Sequence, residues 1–141
     1  KELKRVIRND LITLAVPSRP GMSLVFDPNI EAHRLQMWRK ACRDKSMPDN
    51  FDSVKFSYMI LANQCLNVVW QGETITDEGG KDLNFRNPNF LRMLGAMQAS
   101  AAVKMLYAND GHVFIATDEI LRAAGYDSEG QEQQADPTLL V

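Results

Sequence analysis

The chain has few of the residues that usually declare a chemistry. It contains two cysteines, Cys42 and Cys65, and two histidines, His33 and His112, in 141 residues. Neither cysteine belongs to a CxxC pair or to a Cys/His cluster at zinc spacing, which removes the common structural zinc sites. Each lies in an apolar pattern that predicts a small buried side chain in a reducing compartment. His33 adjoins Arg34 and His112 follows Gly111, so both read as polar surface residues rather than general bases. No GxSxG elbow and no GxxxxGK[ST] loop occurs, leaving hydrolase and nucleotide chemistry without a motif. The expectation is a chain with no catalytic residue, no cofactor and no metal.

Long hydrophobic runs are also missing. No stretch approaches membrane-spanning length, and the opening KELKRVIRND lacks the apolar core of a signal peptide, so a cytosolic product without a membrane partner is expected. A formal charge of -2 gives no general attraction to phosphate backbones, and no nucleic-acid partner is expected. What is present, 45% apolar and 24% charged residues, suits one globular domain with a hydrophobic core.

The predicted organisation is a basic N-terminal arm over 1–22, a helical domain over 23–125 and an acidic flexible tail over 126–141 with an apolar tip. In the arm, Lys1, Lys4, Arg5 and Arg8 accompany Leu3, Val6, Ile7, Leu11 and Leu14 at helical spacing, passing into a β-favouring LITLAV. Pro17, Pro20 and Gly21 break any regular element. Ser23 to Phe26 reads as one short strand. Asp27-Pro28 then resembles a cap followed by a first-turn proline, predicting a helix from Pro28 to about Lys45. A second helix is predicted from Ser53 to Trp70 and a third from Pro88 to about Ala108, stopped by Asn109-Asp110-Gly111. A fourth, shorter one is expected from Thr117 or Asp118 to Ala124. The expected core includes Trp38, Phe56, Ile60, Leu66, Leu94, Met97 and Leu106. For Trp38 and Trp70 core packing is the preferred role, with interface anchoring as the alternative. The fold class is therefore read as mainly α, one helical domain with a short β-hairpin and extended termini.

That hairpin is placed in the connector from Glu73 to Phe90. Thr74 to Thr76 and Leu83 to Phe85 are read as short arms around Asp77-Glu78-Gly79-Gly80, with glycine supplying the positive φ angles of the turn. Its carboxylates invite a calcium reading, but the spacing of an EF-hand loop is absent. A solvated tip is expected instead. Two apolar groups flanked by polar sequence, Leu3, Val6 and Ile7 at one end and Leu139, Leu140 and Val141 at the other, are candidate protein-docking elements. Self-association through the same elements is also open.

Asp27-Pro28, a helix with Trp38, the VVW at 68–70 and ETITDEGGKDLNF at 73–85 together resemble the small tail assembly chaperones of long-tailed bacteriophages. In that family a segment of the form V, acidic residues, G, K or R, apolar, F is similar to Asp77-Glu78-Gly79 and Leu83-Asn84-Phe85 here. The resemblance implies an α-helical, non-enzymatic scaffold in the host cytoplasm that binds tape measure or tail tube protein during assembly. Gly79-Gly80 and the basic start have no counterpart in the pattern. A virion subunit, such as a connector or minor tail protein, is the first alternative, and a small enzyme or ligand-binding regulator the second.

Overall fold

The computed structural model describes residues 10–43 and 50–126. Four strands form one antiparallel sheet in sequence order: β1 Ile12–Ala15, β2 Met22–Phe26, β3 Cys65–Trp70 and β4 Glu73–Ile75. Five helices accompany it among the described residues: α1 Ala32–Ala41, α2 Ser53–Gln64, α3 Pro88–Met93, α4 Ala99–Tyr107 and α5 Asp110–Ala123. The chain is thus a mixed α/β fold, which overturns the mainly α reading with its single short hairpin.

The largest correction lies at Gln64. The run from Ser53 to Trp70 is apolar almost throughout, so periodicity alone does not separate a buried helix from a helix followed by a buried strand. The break comes at Cys65, whose ψ of 127° starts an extended segment. Val68, Val69 and Trp70 favour a strand through branching and ring size. Gln64, itself buried, holds the junction to β2: its backbone carbonyl accepts from the Asp27 amide at 2.9 Å, and its Nε2 donates to the Asp27 carbonyl at 2.6 Å. β3 then pairs with β2 on one side and β4 on the other.

The hairpin predicted in the connector does not form: around its turn Thr76 makes an isolated bridge to Asp82, and the strand pair lies between β3 and β4 instead. β4 pairs with β3, not with Leu83 to Phe85, and the turn between them is Gln71-Gly72, with φ of 51° and 85°. Two consecutive positive φ values make a turn whose twist matches the flanking strands. Leu83 and Phe85 enter the core instead, and Asn84 donates from Nδ2 to the Leu66 carbonyl at 3.1 Å.

α1 starts at Ala32 rather than Pro28, because the Asp27 carboxylate accepts from the Asn29 amide in a local turn and does not cap the helix. The predicted third helix is two helices. Asn87 caps α3, accepting from the Asn89 amide at 2.8 Å. Gly95, at φ 73°, then ends it, with the Ala96 amide donating to the Leu91 carbonyl and the Gly95 amide to the Arg92 carbonyl. This is the Schellman arrangement, which only a residue at ease with positive φ completes without strain. α4 ends at Ala108, which takes a left-handed φ of 62°, and Asn109-Asp110-Gly111 opens the next helix rather than serving only as a stop: Asn109 caps α5 by accepting from the Gly111 amide at 2.7 Å, so the last helix is longer than expected.

Sheet and helices enclose one core of Leu24, Phe26, Ile60, Leu61, Val68, Leu83, Phe85, Leu106, Tyr107, Ile120 and Leu121. Phe56, Ile60 and Leu106 are buried as expected, whereas Trp38, Leu66 and Leu94 are only half-buried and Met97 is 94% exposed. The loop between β1 and β2 closes over the end of α4. Ser18 Oγ donates to the Leu106 carbonyl at 2.8 Å, while Arg19 donates to the carbonyls of Leu106 and Met105. These bonds serve carbonyls that a helix end leaves without partners, and the guanidinium charge complements the helix dipole.

Candidate functional site

The six docking candidates Leu3, Val6, Ile7, Leu139, Leu140 and Val141 lie outside the described residues. Trp38 is half-buried on α1 beneath the Arg34 guanidinium, which stands 4.8 Å from its ring centre. Trp70 is 40% exposed at the end of β3, its ring close to Gly21. Neither tryptophan is a fully buried core residue. The exposed apolar surface is instead richest in methionine.

Met93 at the end of α3, Met97 in the following loop and Met105 on α4 are 68%, 94% and 51% exposed. Their positions follow from the local structure. Gly95 ends α3 just after Met93, so the chain turns outward before α4 and leaves Met97 off both helices. Leu91, Leu94 and Ala96 pack against the core on the inner side of this turn, and Met105 lies on the solvent face of a helix that buries Ala102, Val103, Leu106 and Tyr107. Three adaptable thioether side chains are therefore displayed on a frame anchored to the core and locked by Arg19. In a single helix over 88–108 Met97 would join the stripe of Leu94 and Ala101, which is why the sequence points it to the core. Gly95 was the available signal.

The acidic connector has a structural task. Asp77 Oδ1 accepts from the amides of Gly79 and Lys81 at 2.9 and 3.0 Å, and its Oδ2 accepts from Asn87 Nδ2 and Asn89 Nδ2 at 3.1 and 3.0 Å. Hydrogen bonds from the Lys81 amide, then from Asn89 and Asn87, pull its carboxyl down to about 2. Those donors stabilise the charged form, so Asp77 is a clasp that ties the turn to the start of α3. Among the described residues no group of three His, Cys, Asp or Glu side chains is placed to hold a metal ion.

The remaining reactive groups are dispersed. Burial raises the Cys65 thiol to about 12, partly opposed by the Arg86 charge, and burial also raises the Cys42 thiol. Both cysteines are free, and Cys42 Sγ rests 3.5 Å from Met59 Sδ. Tyr58 donates to Asp110 Oδ1 at 2.6 Å; burial first, and this bond second, raise its phenol to about 12. His33 is exposed beside Glu31, and His112 is half-buried at the start of α5. A depression of about 420 Å³ beside Cys42, Phe51, Asp52 and Lys55 borders both ends of the undescribed 44–49 segment. No histidine joins Cys42 there, and burial keeps its thiol protonated, the unreactive form.

No described helix is long and apolar enough to cross a membrane. Comparison of the chain with protein-family models, with curated proteins and with solved structures finds no match.

Proposed function

We propose that this chain is a non-enzymatic protein-binding factor, and specifically a tail assembly chaperone that acts in the host cytoplasm on tape measure or tail tube protein. The observation that supports protein binding is the display of Met93, Met97 and Met105 along a continuous, core-anchored stretch of α3, loop and α4. Methionine at a surface suits a partner of variable shape, because its unbranched side chain repacks at little cost. The specific assignment rests on the connector, whose Asp77-Glu78-Gly79 and Leu83-Asn84-Phe85 are similar to the chaperone pattern. The helical fold implied by that resemblance does not support it, since the chain carries a four-stranded sheet.

Co-expression with tape measure protein and, separately, with tail tube protein tests the proposal. Capture of either by the intact chain, weakened at least about tenfold in a variant carrying Met93→Ser, Met97→Ser and Met105→Ser, is the expected result. Incorporation into the finished particle would favour a virion subunit. Failure to bind either protein would remove the chaperone reading.

A further inference from the structure

The two edges of the sheet differ in kind. β4 is three residues long, begins with a charged Glu73 and runs into the Asp77 turn, where Thr76 bridges to Asp82. β1 lies in Leu11–Val16, an uncharged apolar stretch without proline, glycine or bulge. Natural edge strands are usually blunted by charge, proline, a bulge or a covering element, and β1 carries none of the first three.

Its hydrogen-bonding polarity follows from one bond. The Val16 amide donates to the Met22 carbonyl at 3.0 Å, so Val16 faces β2 with its backbone groups. Antiparallel pairs alternate, and with Leu14 opposite Leu24 and Ile12 opposite Phe26, those residues bond to β2 as well. Thr13 and Ala15 therefore point their N–H and C=O groups away from the sheet. They have no hydrogen-bond partner among the described residues. Ile12 and Leu14 are only half-buried, at the open margin of the core-facing side, while Thr13 and Ala15 are small and exposed on the other face.

We infer that β1 pairs antiparallel with β1 of a second copy, joining two four-stranded sheets into one continuous eight-stranded sheet about a two-fold axis at Leu14. Alternation fixes this register as one that matches outward groups: Thr13 of each copy faces Ala15 of the other, and each such pair exchanges two backbone hydrogen bonds. The two Leu14 residues then form a non-hydrogen-bonded pair, with side chains at close cross-strand distance on the core-facing side. A one-residue slip sets outward groups against inward ones and is excluded. Charge permits the match, because the facing stretches Leu11–Val16 contain no ionised group and Asp10 falls opposite Ser18. The second copy is the occupant that this uncharged, self-complementary strand fits. The seam is short, which places it among weak interfaces that respond to concentration.

Sedimentation equilibrium of the full chain, from about 1 µM to about 1 mM, tests the inference. A shift from one to two chain masses is expected, accompanied by concentration-dependent slowing of hydrogen exchange at the Thr13 and Ala15 amides. Thr13→Lys places a charge on an exposed edge position, and Ala15→Pro removes an outward amide that β2 does not use. Each variant should stay monomeric while keeping the circular dichroism spectrum and urea midpoint of the parent. If Ala15→Pro fails to fold, Thr13→Lys decides alone. A chain that is monomeric throughout the range, dimers that persist in Thr13→Lys, or Thr13 and Ala15 amides protected in a monomer would each overturn it. The last result would assign the edge to another segment of the same chain.

Discussion

Replacing Tyr107 by phenylalanine should stabilise this protein. Tyr107 is fully buried, and its hydroxyl has no hydrogen-bond partner among the described residues. A hydroxyl taken out of water without compensation costs about 1 to 3 kcal/mol in protein mutational data, whereas the ring contributes like any buried aromatic. Tyr107→Phe deletes the penalty and leaves a gap of one oxygen, so a net gain of about 1 kcal/mol is expected, with a rise in melting temperature of about 3 °C for a chain of this size. Urea unfolding followed by far-UV circular dichroism reads the change as a higher midpoint at unchanged slope. Tyr107→Ala is the control and should lose about 3 to 5 kcal/mol, because it empties the site. Alkaline pH supplies a second readout. Burial raises the Tyr107 phenol above its ordinary value of 10.0, so its contribution to stability is fully present below pH 10.0 and is lost as pH rises beyond it, when the unfolded phenol ionises first. Tyr107→Phe should lack that part of the alkaline loss. A variant less stable than the parent by 1 kcal/mol or more would refute the reasoning and show that the hydroxyl is satisfied.

Leu61→Ala, at a fully buried position, should cost about 2 to 5 kcal/mol, while Leu66→Ala, half-buried as the extra residue where the β2–β3 register shifts, should cost about half as much; equal losses in chemical unfolding would contradict the strand at 65–70. Gln71→Asn should raise stability by a few tenths of a kcal/mol, up to about 1, because asparagine adopts positive φ more readily in the turn before Gly72; a lower melting temperature would argue against that turn. The Asp77 clasp has a depressed carboxyl, so its stabilisation is complete above the ordinary value of 3.8 and is lost as pH falls through about 2. The Gly79 and Lys81 amide resonances should move together over that interval, and a transition centred at 3.8 or above would break the account of the clasp.

The parts of the fold legible in the sequence are those set by local chemistry. Asn87-Pro88 opens α3, Asp52 caps α2 by accepting from the Lys55 amide, and Met22–Phe26 is extended much as the apolar stretch from Ser23 implies. The sheet was not legible, because it depends on pairings between distant segments. β1 and β3 were each concealed beside or inside a helical pattern, LITLAV following a basic amphipathic stretch and CLNVVW following α2. Gln64 determines where α2 gives way to β3 through its bonds to Asp27, a tertiary contact with no signature near residue 64. Gly95 was a local signal that the small-residue run GAMQASAA obscured, and missing it carried Met97 into the expected core. Asn109-Asp110-Gly111 reads equally as a helix stop or a helix start, and spacing alone does not reveal that α4 already ends at Ala108 while Asn109 caps α5. The candidate site suffered most from this, since Met97 leaves the helical stripe only once α3 and α4 are separate.

Met93, Met97 and Met105 are proposed as the residues that meet the partner. Carbon-13 labelling of methionine methyl groups, followed by titration with purified tape measure or tail tube protein, tests that claim most directly. Met59 serves as an internal reference because its thioether is packed against Cys42. The expected result is saturable movement or broadening of the Met93, Met97 and Met105 methyl signals, with Met59 unchanged. Binding that leaves those three signals in place, or no binding by either protein, would contradict the claim.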